Sequence, residues 1–215
     1  GELLESGERD IPIWTMDDDL HISRGTMTHV FPSGVKDVFE LRLASGRTVK
    51  ASANHPFYTV DGWRAVDQLT VGTRLATPRS APSPLEPVQW RQDEVVLLAH
   101  LIGDGCFAPR QPLHYTSSDP ENLAAVDAAA RSFGVEPRRV QQKNWWHLYL
   151  PAPFQLTQGR RNPICRWLDS MGLYGLRSHE KFIPGEVSGL DLSQVALFLR
   201  HLWATDGSLQ LGKSQ

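Results

Sequence analysis

Cysteine is nearly absent from this chain: Cys106 and Cys165 are the only two among 215 residues. So few thiols, so far apart, exclude a disulfide framework and a cysteine-based zinc site. They make a reducing, cytoplasmic setting the expectation. No apolar run approaches the roughly 18 residues that cross a bilayer, and the first residues show no signal-peptide pattern, so no membrane partner is expected. An excess of one charge is missing too, since 22 Lys and Arg stand against 24 Asp and Glu. Any contact with nucleic acid must then come from local basic patches. What is present, 40% apolar residues, is ordinary for a globular chain and can build a core in one large domain or two small ones.

Two short stretches carry the main clue. Leu97-Leu98-Ala99-His100-Leu101-Ile102-Gly103-Asp104-Gly105 and Leu199-Arg200-His201-Leu202-Trp203-Ala204-Thr205-Asp206-Gly207 are apolar, helix-like runs that end in Asp-Gly. Each sets a carboxylate at a helix C-terminus, where it opposes the helix dipole. Such a placement needs a reason, and a shared metal is one. Two of these helices side by side bring two carboxylates to one point, where oxygen ligands suit a divalent cation. The glycine after each Asp is expected in the left-handed conformation that closes a helix. One such pattern alone is more often a loop Asp before a capping glycine; two, each after a long apolar run, favour a site.

Residues 10 to about 80 read as β structure. Ile11–Met16, His21–Phe31, Val38–Leu43, Arg47–Ala51 and Phe57–Val60 are β-rich runs, and turns are expected at Ser45-Gly46 and Asp61-Gly62. Pro78, Pro82, Pro84 and Pro87 then mark a connector. Beyond it the texture alternates: helix over 94–102, strand over 113–116, helix from Ser118-Asp119-Pro120, paired strands over 138–142 and 145–150, helix from Asn162-Pro163, and helix from Ser193. The expected fold class is therefore multidomain: an all-β module, residues 1–80, a Pro-rich linker over 81–91, and an α+β module over 92–215.

The Asp-Gly stretches resemble the two motifs of LAGLIDADG homing endonucleases, with Ala99 at a small-residue position and His201 where glycine is usual. His179-Glu180-Lys181-Phe182-Ile183-Pro184 resembles the lysine-bearing block between those motifs. In the β module, Ser52-Ala53-Asn54-His55-Pro56 resembles the inteins and their Hint domains, in which a hydroxyl residue and a histidine sit three apart. Gly62-Trp63 through Gly72-Thr73 is similar to another intein segment, with Thr73 where Asp is common. The likeness runs from about residue 3 to 211 and is nearest to inteins of mycobacterial replicative DNA helicases. It implies an endonuclease module inserted in a self-splicing one, the incomplete Hint module preceding the incomplete LAGLIDADG module.

The resemblance assigns roles. Ser52 and His55 would activate the upstream splice peptide, a hydroxyl holding the carbonyl oxygen and an imidazole protonating the leaving amine. Asp104 and Asp206 would bind Mg²⁺ for phosphodiester hydrolysis, and Lys181 would act as an electrostatic aid near the phosphate. The partners would be double-stranded DNA, an intein-less helicase gene, and the flanking helicase extein segments. Arg138, Arg139, Gln141, Gln142 and Lys143 form a basic, polar stretch that reads either as a DNA contact or as a solvated strand edge. Gln158-Gly159-Arg160-Arg161 is a second basic spot. Gly1 offers no nucleophile, and the chain stops soon after the second Asp-Gly pattern, so a slice of a longer protein is expected, incompetent to splice alone. The competing readings are a decayed, non-cleaving DNA-binding module and a structural remnant.

Overall fold

The computed structural model describes residues 2–80, 82–156 and 160–207. Gly1, Gln158 and Gly159 lie outside the described residues. The chain divides into two compact units, Gly1–Leu85 and Glu86–Gln215.

The first unit opens with a short helix α1, Glu2–Ser6, and continues as three antiparallel hairpins. These pair β1 (Ile11–Met16) with β2 (Ile22–Met27), β3 (Val38–Arg42) with β4 (Thr48–Ser52), and β5 (Pro56–Thr59) with β6 (Gly62–Ala65). The turns sit where the sequence places them. Gly46 and Gly62 both take positive φ, 84° and 95°, a conformation that costs a side-chain-bearing residue energy. β2 is shorter than the β-rich run His21–Phe31 suggests, because residues 28–37 adopt no regular structure. Little of this unit is sealed from solvent: among its described residues Ala51, Thr59 and Val66 are buried, whereas Phe31, Val35, Val60, Trp63 and Val71 are exposed.

The second unit contains the core. Its central helix α2, Gln92–Asp104, buries Val95 and every residue from Leu97 to Leu101. A helix apolar around its whole circumference must be packed on all sides. Strands β7 (Gly105–Cys106), β8 (His114–Ser117), β9 (Arg138–Gln141) and β10 (Trp146–Tyr149) form one antiparallel sheet in the order β7-β8-β10-β9. Helix α3, Pro120–Arg131, starts at Asp119, whose carboxylate accepts from the amides of Glu121 and Asn122. Helix α4, Pro163–Ser170, starts likewise at Asn162, which accepts from Ile164 N. Both use a polar cap followed by proline. Helix α5, Leu192–Asp206, is capped by Asp191 rather than by Ser193, because the Asp191 carboxylate accepts from Gln194 N at 2.9 Å.

Candidate functional site

The C-terminal ends of α2 and α5 meet. Among the described residues, these two helices share one of the largest contacts between elements. They approach so closely that a Cβ on Gly103 would lie 2.1 Å from Thr205 Oγ1 and 2.7 Å from its Cβ. Only a residue without a side chain fits there. Asp104 and Asp206 are the last residues of their helices. The pairing is electrostatic as well as steric. Burial first, then the neighbouring Asp206 charge, holds the Asp104 carboxyl above its usual range, while Lys181 pulls it down.

The two helix ends are built alike. The Gly105 amide donates to Leu101 O and the Gly207 amide to Trp203 O, each continuing its helix by one bond. The left-handed closure expected of these glycines does not occur: Gly105 has φ −78° and ψ 149°, Gly207 φ −72° and ψ 140°. Glycine is needed for space instead. A Cβ would stand 2.6 Å from Leu101 Cα at the first end and 2.4 Å from Trp203 O at the second.

Each end is tied down by a donor from elsewhere in the unit. Lys181 Nζ donates to the carbonyls of Leu101, Ile102, Gly103 and Gly105, at 3.0, 3.1, 3.3 and 2.6 Å. A cation there adds a donor at the helix C-terminus, where carbonyls run out of intrahelical partners, and offsets the negative end of the dipole. Its ammonium thus faces the backbone that carries Asp104, with burial drawing its pKa down and the Cys106, Asp104 and Asp206 groups raising it. At the other end Asn122 Nδ2, on α3, donates to Ala204 O at 3.0 Å. Asn122 is a site residue that the sequence did not single out; it carries no motif signal, only its place in the first turn of a helix.

One turn before the carboxylates runs a buried polar chain. His100 Nε2 lies 3.0 Å from His201 Nδ1, and His100 Nδ1 lies 3.1 Å from Tyr115 OH. His100 is fully buried. Its pKa falls to about 4, through burial first and then the neighbouring His201, with Asp119 opposing. His201 is accommodated at the helix crossing by its hydrogen bond to His100.

The sheet splits the basic stretch that the sequence presents as one. Leu148 pairs with both Tyr115 and Arg139, so Arg139 shares the face of two core residues. Its guanidinium stacks over Trp146 at 4.1 Å. Gln141 pairs with Trp146 and lies on that same face, because side chains alternate along a strand. Gln142 and Lys143 belong to the turn before β10. The opposite face carries Arg138, Tyr149, His114, His147 and Thr116, in the rungs Arg138–Tyr149–His114 and Val140–His147–Thr116. There Thr116 Oγ1 lies 3.0 Å from His147 Nδ1, the His114 and His147 rings are 4.8 Å apart, and Arg138 covers Tyr149 at 5.4 Å. The histidines and Tyr149 were not among the expected contact residues; strand alternation was the signal that finds them.

In the first unit, Ser52 closes β4 and His55 follows in the turn, its amide donating to Ser52 O at 3.0 Å. The Ser52 hydroxyl donates to Asn54 Oδ1 at 3.0 Å, while the exposed His55 ring edges onto Phe57. Ser52 also lines a cavity of about 440 Å³ with Asn54, Asp67, Asp37 and Phe39. Asn54 is thus the immediate partner of the hydroxyl.

Among the described residues no helix is long and apolar enough to cross a membrane, and no group of three or more His, Cys, Asp or Glu side chains gathers to hold a metal. A scan against protein-family models matched none. The chain is 41% identical over 209 residues to the replicative DNA helicase DnaB of Synechocystis sp., an alignment covering 95% of this chain and 24% of that one. It is 29% identical over 189 residues to the RecA protein of Mycobacterium bovis, covering 82% of this chain and 22% of the other. A crystal structure of a DnaB intein from Synechocystis sp. aligns with 36% of this chain and 55% of its own, at 38% identity and a TM-score of 0.34. The chain spans about a quarter of the length of the curated relatives it matches. It is related to a segment of replicative DNA helicase DnaB chains.

Proposed function

We propose that this chain is part of an intein hosted by a replicative helicase, its second unit belonging to a LAGLIDADG-type homing endonuclease that cuts double-stranded DNA. The observation that carries the nuclease reading is the meeting of two like-built helix ends, each terminating in Asp-Gly, at a contact only glycine allows. The intein reading draws on the comparisons: one stretch of some 190 to 209 residues aligns within both a DnaB helicase and a RecA chain. A segment common to differently named hosts behaves as an insert rather than as part of either activity. The Hint-type residues Ser52 and His55 at the β4 turn agree with this.

Two carboxylates at one place, with Asp104 already resisting ionisation through burial first and then the Asp206 charge, leave negative charge that a divalent cation would neutralise. Asp104 and Asp206 would hold Mg²⁺, the remaining ligands coming from backbone oxygen, water or DNA phosphate. When bound, the ion supplies Lewis-acid stabilisation of charge at a phosphodiester oxygen. Lys181 braces the backbone beneath Asp104, and its charge reaches both carboxylates. The sheet face with Arg138, His114, His147, Tyr149 and Thr116 offers donors, acceptors and one cation to a DNA groove.

The test restores the flanking sequence and measures excision together with cutting of an intein-less helicase gene in Mg²⁺. Asp104→Asn should abolish cutting while excision continues. Duplex binding without cutting by the parent, together with no loss on Asp104→Asn, would favour a decayed DNA-binding module. Absence of both binding and excision would leave a structural remnant.

A further inference from the structure

The sharpest unexplained feature of the second unit is the polar chain inside its tightest helix contact. Histidine is an unexpected residue on both sides of a crossing that otherwise admits only glycine against Thr205. A buried polar group is costly unless hydrogen-bonded, and here both ring nitrogens of His100 are satisfied, one by His201 and one by Tyr115. A neutral imidazole has one donor and one acceptor nitrogen. The chain can therefore run Tyr115 O–H to His100 Nδ1, then His100 Nε2–H to His201 Nδ1, or in the reverse sense, with every contact filled in either direction.

Position gives the chain its significance. His100 stands one helical turn before Asp104, and His201 stands in the turn before Asp206. Tyr115 lies on β8 and pairs in register with Gly105, the residue after Asp104. Three elements are thus fastened together: α5 through His201, α2 through His100, and the sheet through Tyr115. The close contact of Gly103 with Thr205 limits how the two helices approach, but it does not by itself fix the direction in which their polar groups meet. A directional hydrogen bond between the two rings adds that requirement.

We propose that His100 and His201 form a hydrogen-bonded pin that sets the register of α2 against α5 and so fixes the approach of Asp104 to Asp206. Both are positioning residues, acting through the helices and not on any substrate. The functional meaning of the pin rests on the reading of the two carboxylates as a cation-holding pair; its geometry does not.

The test measures the approach itself, with neither metal nor DNA present. Asp104 and Asp206 are both replaced by Cys in the full chain, with Cys106→Ser removing the adjacent thiol, and disulfide formation in a glutathione buffer is timed. His201→Leu keeps bulk and removes the hydrogen bond; His201→Asn retains an amide where the imidazole carries Nδ1. Losing one part-buried hydrogen bond corresponds to about a fivefold change in population. Cross-linking should therefore slow about fivefold with His201→Leu and stay near the parental rate with His201→Asn, both timed at a temperature where circular dichroism shows each variant folded. Equal rates in the His201→Leu and parental backgrounds would overturn the proposal, as would slowing by both substitutions to the same degree. Because the readout involves no cation, the pin can fail while the nuclease reading survives, and the reverse.

Discussion

At the scale of single residues, the second unit places charge and polarity where stability alone would not. His100 is held neutral by burial, with a pKa near 4, while in the unfolded chain it titrates near 6.5. The unfolded state thus binds a proton first as pH falls, and folding loses ground. The contribution of His100 is fully present above about pH 6.5 and declines between about pH 6.5 and 4, by an amount on the order of 3 kcal/mol. The groups around it are Tyr115, His201 and Asp119, with Asp104 and Asp206 at the helix ends. Urea unfolding at pH 8 and pH 4.5 should show this loss, and His100→Leu should flatten it. Asp104 has the opposite sign. Its raised pKa means that the ionised form is disfavoured by folding, so stability declines as pH rises through the Asp104 titration. Asp104→Asn should therefore be neutral to stabilising, by at most about 1 kcal/mol because the group is half-exposed. Thermal melts at neutral pH and low salt check it; a clear drop in Tm would contradict the repulsion between the two carboxylates.

At the scale of elements, the helix ends depend on partners distant in sequence. Lys181→Met would remove a shared donor from the C-terminal carbonyls of α2 and should destabilise the fold by about 1–3 kcal/mol. A lysine whose role is confined to contacting phosphate would leave the melt unchanged. Gly103→Ala pushes a methyl group into Thr205 and should cost about 1–3 kcal/mol as overpacking, with cation binding weakened in step. Much of this level was legible in the sequence. The apolar run of α2, the polar caps before Pro120 and Pro163, and the β5–β6 turn are local signals, written within a few residues. Other features were not local. The basic stretch from Arg138 to Lys143 looked like one surface because a sequence does not display which side chains share a face; the pairing of Leu148 with Arg139 divides it. Lys181 and Asn122 reach helix ends far away in sequence, and no periodicity encodes such a contact. The His100–His201 bond was hidden for the same reason, since it depends on how two helices are rotated against each other.

At the scale of the whole chain, the two units differ in how much they bury. The first consists of hairpins with few sealed residues; the second surrounds α2 with sheet and helices. The carboxylate pair belongs to the well-packed unit, as preorganisation requires, since a site on rigid elements keeps its geometry without a ligand. The account as a whole turns on whether Asp104 and Asp206 act together on one cation. The most direct measurement is a Mn²⁺ titration of the full chain followed by the paramagnetic signal of the free ion, beside Asp104→Asn, Asp206→Asn and the double variant. One shared site predicts saturable binding by the parent, a loss of at least about tenfold in affinity for each single variant, and little further loss in the double. Binding unchanged by either substitution would contradict it.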